Sequence, residues 1–179
     1  GGELLLLSAN TVYRYELEVD DGLNMSAFGS AALSAGLVTN IVALGDGKFA
    51  YLNNAGDLAE TDMQGSYTKP IGEKSSKSYI NHYDGKLYYL HNYSEIVRYD
   101  LQTGAKDSLL LNDNGGRPLS RHIASVQSLF VDADGVYVLD GQNKKVVKLD
   151  HSLAFAGFCL DSFSFEAGRF NAPPAVSAS

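Results

Sequence analysis

The stretch Asp84–Asp100, DGKLYYLHNYSEIVRYD, decides the fold of this chain. An Asp-Gly turn is followed by an aromatic strand, a short polar connection and a second strand that ends in Tyr-Asp, which is the pattern of a β-hairpin. The same plan recurs at Asp46–Asp62 (DGKFAYLNNAGDLAETD) and at Asp134–Asp150 (DGVYVLDGQNKKVVKLD). In each copy the glycine lies fifteen residues before the last aspartate, and a weaker copy opens the chain at Gly2.

Apolar segments on either side extend each hairpin to four short strands. In the middle copy they are predicted at Tyr79–Tyr83, Lys86–His91, Glu95–Leu101 and Lys106–Leu111. Repeats of roughly 40–50 residues with four strands each are typical of a β-propeller, whose sheets stack radially and bury both faces against their neighbours. We therefore predict an all-β fold, a β-propeller of four-stranded antiparallel blades. The chain holds about four of them, as either a small closed ring or part of a larger propeller.

The repeats predict one propeller, or a segment of one, over residues 1–170, with units near 1–28, 38–71, 79–111 and 126–160. The small residues of Gly29–Gly36 are predicted to connect the first two units. Residues 161–170 (DSFSFEAGRF) alternate apolar and polar and predict one more strand, whereas 171–179 (NAPPAVSAS) predict a linker or disordered tail. If the extra strand supplied the missing innermost strand of the first unit, a four-bladed ring would close and lose its open edge. The abrupt beginning of the chain favours a portion of a larger propeller.

The last unit resembles a repeat of the NHL family of propellers. It reads V-D-x-D-G-x-Y-V-x-D from Val131 to Asp140, and N-x-K-V and K-L-D follow from Asn143, with Lys145 where that family prefers arginine. The middle unit, DGKLYYLHN…VRYDLQTG, is similar to the bacterial and receptor propellers of the YWTD-like type, without their Trp-Thr-Asp core. These resemblances imply propeller architecture and leave the activity open, because propellers host many unrelated functions.

Composition narrows the classes of partner. The formal net charge is −7, which disfavours nucleic acid and anionic membrane surfaces. Leu4–Leu7 is too short an apolar run for a signal sequence or a membrane span, so no membrane insertion is expected. Cys159 is the one cysteine and lies in an apolar run, where a buried thiol is expected; it cannot form an internal disulfide.

No catalytic, metal or cofactor signature is present. The four histidines have no zinc-binding spacing, no G-x-S-x-G motif occurs, and the tryptophan that sialidase Asp-boxes and quinoprotein propellers require is missing; the histidines are His82, His91, His122 and His151. The sequences Asp132–Gly135 and Asn112–Gly115 begin like calcium loops but lack the later ligands. We expect no cofactor and no metal.

Candidate binding residues come from the predicted loops. In a propeller, the connections between the second and third strands of each blade lie on the same rim as the connections between blades. In this sequence, the predicted connections between second and third strands and the insertion 112–125 are rich in amides, tyrosine and arginine. Such side chains suit recognition of a peptide or glycan. The predicted ligand-binding residues are His91, Asn92, Tyr93, Arg117, Arg121, His122, Gln142 and Asn143.

These observations favour a non-catalytic binding or scaffold module that recognises a protein, peptide or glycan through one propeller face. The alternative is a lyase or hydrolase of the propeller type that uses His91 or His122 in a polar site near the central channel. We expect a bacterial protein that is exported, whether periplasmic, surface-bound or secreted, although this chain shows no signal sequence. Self-association is expected if the ring is incomplete.

Overall fold

The computed structural model describes residues 2–19, 23–34, 36–65, 67–77, 79–113 and 115–160. These residues form four antiparallel sheets, one of three strands and three of four, joined by turns and irregular segments without an α-helix. No helix in this part of the chain is long and apolar enough to cross a membrane. The predicted extra strand at 161–170 and the predicted tail at 171–179 lie outside the described residues.

Each sheet is one blade, and its strands follow one another in sequence. Blade 1 comprises β1 (Gly2–Ser8), β2 (Thr11–Val19) and β3 (Leu23–Ala32). Blade 2 comprises β4 (Val38–Gly45), β5 (Lys48–Asn53), β6 (Leu58–Asp62) and β7 (Thr68–Pro70). Blade 3 comprises β8 (Asn81–Tyr83), β9 (Lys86–His91), β10 (Glu95–Asp100) and β11 (Lys106–Leu110). Blade 4 comprises β12 (Val126–Asp132), β13 (Gly135–Asp140), β14 (Lys145–Leu149) and β15 (Phe155–Leu160).

The predicted all-β fold of stacked antiparallel blades is confirmed, with one difference in blade 1. Its sheet has three described strands, as expected for a first unit without its innermost strand. However, β3 continues to Ala32, so the first half of Gly29–Gly36 belongs to a strand and not to a connection. A register shift between Arg14 and Tyr15 of β2 marks a bulge in the β2–β3 pair. The small residues of this segment therefore lie in an irregular edge strand, where little side-chain packing is needed.

Aspartates shape the turns of the repeated hairpin. At Asp46-Gly47 and Asp84-Gly85 both residues have positive φ, as a two-residue type I′ turn requires. The last aspartate of each repeat closes the next turn: the Asp100 carboxylate accepts from the backbone N–H of Gln102 and of Thr103, at 3.0 and 2.8 Å. Its two counterparts, Asp62 and Asp150, accept from backbone N–H groups in the same way. The repeat thus preserves local turn geometry.

Three buried clusters join the blades. Val12 and Phe49 lie in the cluster between blades 1 and 2, Leu87 in the one between blades 2 and 3, and Leu90 and Val138 in the one between blades 3 and 4. Phe49, Leu87 and Val138 are fully buried. Among the described residues, no buried cluster joins blade 4 to blade 1. The described blades therefore form an arc, in which buried clusters join only consecutive blades.

The direction of β1 shows which strand blade 1 lacks. The turn between β1 and β2 lies beside the start of β4, since the Asn10 side chain donates to the Gly36 carbonyl and accepts from the Val38 N–H at 3.0 Å. In blade 2 the β5–β6 connection holds the same place, with Asn54 N–H donating to the Leu37 carbonyl at 2.8 Å. Hence β1 and β2 correspond to second and third strands. The innermost position beside β1, held elsewhere by β4, β8 and β12, is filled by none of the described residues.

Candidate functional site on the upper rim

We call "upper rim" the end of the arc that carries the connections between second and third strands and the connections between blades. Hydrogen bonds tie the two classes together: Ser75 N–H donates to the Gly56 carbonyl, Tyr93 N–H to Ser76 Oγ, and Gly141 N–H to the Ser125 carbonyl, at 2.8, 3.0 and 3.3 Å. The expected shared rim is therefore present. Whether its residues bind a ligand stays a prediction.

One polar residue ends the second strand in each of blades 2, 3 and 4. Asn53 accepts from the N–H groups of the β5–β6 turn, at 3.0 and 2.9 Å. His91 contacts the carbonyl of Lys74, and Asp140 accepts from the N–H of Ala124, both at 2.8 Å. In blades 3 and 4 this side chain therefore anchors the connection that arrives from the preceding blade.

His91 also belongs to a charged cluster between blades 2 and 3. Lys106 Nζ lies 2.5 Å from Glu73 Oε2 and 3.2 Å from Glu95 Oε1, and His91 Nε2 lies 3.6 Å from Glu73 Oε2. Because a carbonyl can only accept, the contact with Lys74 places the imidazole proton on Nδ1. Nε2 then accepts from the Asn92 amide at 2.7 Å. The cluster combines two carboxylates, an ammonium and an imidazole.

The turn after His91 presents an aromatic ring to solvent. Asn92 and Tyr93 have φ of 47° and 57°, a left-handed conformation that is uncommon for tyrosine. The Tyr93 side chain is 65% exposed, and Lys77 Nζ lies 5.3 Å from its ring centroid. A strained, exposed aromatic residue beside a charged cluster is a common feature of binding sites.

A cleft of about 480 Å³ adjoins the cluster on the side of blade 2. It is lined by residues of β5–β7 and by the segment from Ile71 to Lys74, so that Glu73 belongs to both the cleft and the cluster. Lys74 Nζ pairs with Asp57 at 2.8 Å across it, and hydrogen bonds from Lys74 and Asn53 lower the pKa of Asp57. Burial, aided by the Asp57 charge, raises the pKa of Tyr51. The cleft thus offers one ion pair and a neutral phenol.

The predicted residues of the insertion lie apart from this cluster. Arg117 folds back on Asp113, with Nε to Oδ2 at 3.1 Å, and its side chain is 79% exposed; Arg121 is exposed as well. His122 stacks on Phe155 of the outermost strand of blade 4, with ring centroids 3.7 Å apart, and meets Phe158 edge-on. His122 is therefore on the periphery of its blade, and the expectation that it lies near the central channel is wrong.

Gln142 and Asn143 form a turn around a buried carboxylate. Asp140 is fully buried and accepts from the N–H groups of Gln142 and Asn143 at 3.2 and 3.1 Å, as well as from the Asn143 side chain at 2.8 Å. Burial opposes ionisation of Asp140, but these bonds and those from residues 124 and 125 prevail and lower its pKa. Asn143 therefore has a structural task, whereas the Gln142 side chain is exposed.

The sequence analysis missed Glu73, Glu95 and Lys106. Glu95 carried a usable signal, because it directly opposes His91 across the three-residue turn of the hairpin. Glu73 lies on the connection between blades and Lys106 on an outer strand, so no local pattern links them to His91. Ligand atoms of Glu73, His91 and Glu95 lie within 4.8 Å of one another. Lys106 already lies against both carboxylates, and a metal ion would have to displace it.

The pair of Glu95 and Lys106 makes a pH prediction. Burial raises the pKa of Glu95, but hydrogen bonds from Ser108 and Lys106 outweigh it and leave that pKa lowered, and the bond to Glu73 raises the pKa of Lys106. The contribution of this ion pair to the free energy of unfolding is thus complete above the ordinary glutamate pKa of 4.5 and below the ordinary lysine pKa of 10.5. It is lost as pH falls through the lowered pKa of Glu95 or rises through the raised pKa of Lys106.

We expect Lys106→Met to cost about 1 kcal/mol at pH 7, because the ammonium is partly exposed. In thermal unfolding curves, the difference in stability between Lys106→Met and the wild type should be smaller at pH 3 than at pH 7. Lys145→Met, in a residue that lies 4.8 Å over the Phe158 ring, is the matched control. If the loss of stability in Lys106→Met stayed constant from pH 3 to pH 7, the ion pair between Lys106 and Glu95 would not be its cause.

Comparison with known proteins supports the fold and leaves the function open. No protein-family model and no curated protein matches the chain. Among solved structures, the N-terminal domain of Nup159 matches with a TM-score of 0.54 and 14% identity over 89% of this chain and 41% of that one. BamB from Moraxella catarrhalis matches with a TM-score of 0.50 and 13% identity, over 85% of this chain and 43% of that one. YCF48 bound to D1 peptide matches with a TM-score of 0.51 and 15% identity, over 88% of this chain and 52% of that one.

These matches are propeller proteins, and they cover most of this chain. The chain is a β-propeller repeat protein. It spans about half the length, or less, of the propellers it matches. Identities of 13–15% support the architecture alone.

Proposed function

We propose that this propeller is a non-catalytic module that binds an extended segment of a protein partner on the upper rim between blades 2 and 3. The observation that carries the proposal is the group of Glu73, His91, Glu95 and Lys106 beside exposed Tyr93 and the cleft of blade 2. Carboxylates accept from peptide N–H groups, and lysine donates to peptide carbonyls. The cluster therefore offers both halves of the hydrogen bonding that a peptide backbone requires.

Tyr93 provides an apolar anchor for such a segment. Tyrosine is enriched among residues that dominate binding energy, since one ring buries a large area and keeps a hydroxyl for hydrogen bonding. The turn of Asn92 and Tyr93 is already fixed by the bond from Tyr93 N–H to Ser76 Oγ and by the Asn92 amide on His91. A ligand would meet a turn whose backbone is already fixed, so less conformational entropy would be lost on binding.

One similar propeller supports the choice of ligand. YCF48 was solved bound to a peptide, D1. At 15% identity this likeness transfers no site residue, but it shows that a propeller of this type can bind a peptide. A glycan, the other ligand predicted from the sequence, is one of the outcomes of the test below.

We further propose that the protein is bacterial and acts outside the cytoplasm, and that its repeats are of the NHL type. The last unit supports the repeat type through its V-D-x-D-G line and through Asp140, which anchors the turn that contains Asn143. The net charge of −7 agrees with a protein partner rather than with nucleic acid.

The proposal predicts that Tyr93→Ala weakens binding at least tenfold, the change expected when a central aromatic anchor is removed. The ligand is first selected from a displayed library of random peptides, in parallel with a glycan array. Affinities of the selected ligand for wild type and variants are then measured by calorimetry. Glu73→Gln is expected to reduce the affinity as well, because it takes one charge from the cluster.

Phe155→Ala is the matched control, because Phe155 is also an exposed aromatic residue, at 43%, on the distant edge of blade 4. It should leave the affinity unchanged. If Phe155→Ala abolished binding while Tyr93→Ala had no effect, the site would be the group around His122 instead. Selection of glycans without any peptide would contradict the proposed ligand class.

A further inference from the structure

A cation lies between two carboxylates at the upper end of the junction between blades 2 and 3. Lys106 Nζ is 2.5 Å from Glu73 Oε2 and 3.2 Å from Glu95 Oε1. One ammonium balances only one of the two carboxylate charges. Lys106 lies on the outer strand β11, its side chain is 33% exposed, and its flexible stem can swing towards solvent. The position it holds therefore suits a divalent cation.

His91 brings a nitrogen ligand to the same position. Its Nε2 lies 3.6 Å from Glu73 Oε2, and ligand atoms of Glu73, His91 and Glu95 all lie within 4.8 Å of one another. Because the Lys74 carbonyl accepts from Nδ1 at 2.8 Å, Nε2 of the neutral imidazole keeps its lone pair. Such a bond from the second ring nitrogen orients most metal-binding histidines. The Asn92 amide on Nε2 belongs to an exposed side chain that can rotate away.

The sheet of blade 3 holds two of the three ligands on one face. Tyr89 and His91 are alternate residues of β9, and Glu95 directly opposes His91 on β10. Alternate and directly opposed residues share a face of a sheet. The Ser108 hydroxyl of β11 donates to the Glu95 carboxylate and fixes its position. Glu73 comes to this face from the connection between the blades, so the ligands join two segments that are distant in sequence.

A buried hydroxyl without a partner lies beside these ligands. Tyr89 is fully buried, and a Cβ placed on Gly72 would lie 2.8 Å from its hydroxyl. The hydroxyl also lies near the Glu73 backbone N–H, but the alignment is too poor for a hydrogen bond, so it has no partner among the described residues. Burial raises the pKa of Tyr89 to about 12, and the charges of Glu73, Lys106 and Glu95 act on it as well. Because an unpaired buried hydroxyl is unfavourable, a water molecule carried by a metal ion would supply the missing partner.

We propose that Glu73, His91 and Glu95 bind one Zn²⁺ ion, which displaces the Lys106 ammonium towards solvent. One imidazole nitrogen and two carboxylate oxygens are ordinary zinc ligands, and a water near Tyr89 would complete the four-coordinate site. Mg²⁺ and Ca²⁺ prefer oxygen ligands alone, so the imidazole selects against them. The ligands lack a zinc-binding spacing in sequence, which is why the sequence analysis expected no metal.

Bound zinc would tie the connection before blade 3 to the central hairpin of that blade. Hydrogen exchange of residues 71–77 should therefore slow when zinc is added. The proposal is independent of peptide binding, because zinc binding is measured without peptide and the peptide affinity of the preceding proposal can be measured with a chelator present. Failure of either one thus leaves the other standing.

The test titrates zinc chloride into the full chain by calorimetry. We expect one ion per chain, with Mg²⁺ giving no comparable binding. His91→Gln and Glu73→Gln should each weaken zinc binding at least about tenfold, because each removes one of three ligands. Circular dichroism checks that both variants are folded. Saturable zinc binding that survived unchanged in both variants would overturn the proposal, as would the absence of saturable binding to the wild type.

Lys106→Met gives the sharpest result, because the proposal expects it to strengthen zinc binding. Without the competing ammonium, the affinity should rise at least about tenfold. Lys77→Met is the matched control: it removes the same charge from the same rim, but the Lys77 ammonium lies over the Tyr93 ring and not against the carboxylates. It should change the affinity much less. Equal effects of the two variants would overturn the displacement of Lys106.

Cys159→Ser separates this site from binding through a thiol. Cys159 is exposed and is the one cysteine of the chain, so it is the other side chain with high affinity for zinc. The zinc affinity of Cys159→Ser should equal that of the wild type. In addition, bound Co²⁺ should show the visible absorption of nitrogen and oxygen ligands without a thiolate band. Loss of zinc binding in Cys159→Ser would overturn the assignment to His91 and the two glutamates.

Discussion

Phe49→Ala is expected to lower the free energy of unfolding by about 4 kcal/mol, the usual cost of removing a buried aromatic side chain. Phe49 is fully buried in the cluster that joins blade 1 to blade 2. Its partners in that cluster include Val12 on blade 1 and Met63 on a turn of blade 2, so we expect a cavity to remain between the two blades. The loss should appear in urea unfolding followed by tyrosine fluorescence.

Phe155→Ala provides the comparison for this change in stability. Phe155 is the same residue type in an outer strand, and at 43% exposure it should cost less than about 1 kcal/mol. Equal losses for the two variants would mean that the cluster between blades 1 and 2 does not contribute to the cooperative unfolding transition.

Asp140→Ala is expected to cost about 3 kcal/mol at pH 7, because several backbone N–H groups would lose a charged acceptor at a buried site. The same change frees the insertion before blade 4, which Asp140 holds through Ala124 and Ser125. Hydrogen exchange should therefore increase in the insertion as well as in the turn around Asn143.

The contribution of Asp140 depends on pH with a defined sign. Its pKa is lowered in the folded chain from the ordinary 3.8, so the stabilisation is complete above that value and is lost as pH falls through the folded pKa. The difference between wild type and Asp140→Ala should shrink below pH 3.8. Asp150→Ala, at an exposed aspartate that makes similar turn bonds, should cause a much smaller change at any pH.

Much of the fold could be predicted because the signals are local. The Asp-Gly turn and the apolar runs beside it place β9 at the predicted bounds, and β8, β10 and β11 within a residue or two of theirs. Stacking of blades followed from the need to bury both faces of each sheet. Blade 1 was harder, since β3 consists of small residues with a bulge and carries no alternating pattern.

The site was predicted less well, because it depends on contacts between blades. The hairpin indicated His91, Asn92 and Tyr93 as ligand-binding residues, and that role stays a prediction. Their partners Glu73 and Lys106 come from other segments, and only the packing of blade 3 against the connection before it unites them. Asn143 was predicted to be a surface amide. Its hydrogen bond to the buried Asp140 carboxylate could not be recognised from a single sequence.

The aspartates that close the outer turns also bear on how the chain is built. Each accepts hydrogen bonds from residues only a few positions later, so these turns can form as soon as their own residues leave the ribosome. Blades 2, 3 and 4 can then form in the order of synthesis, each on the surface of the one before.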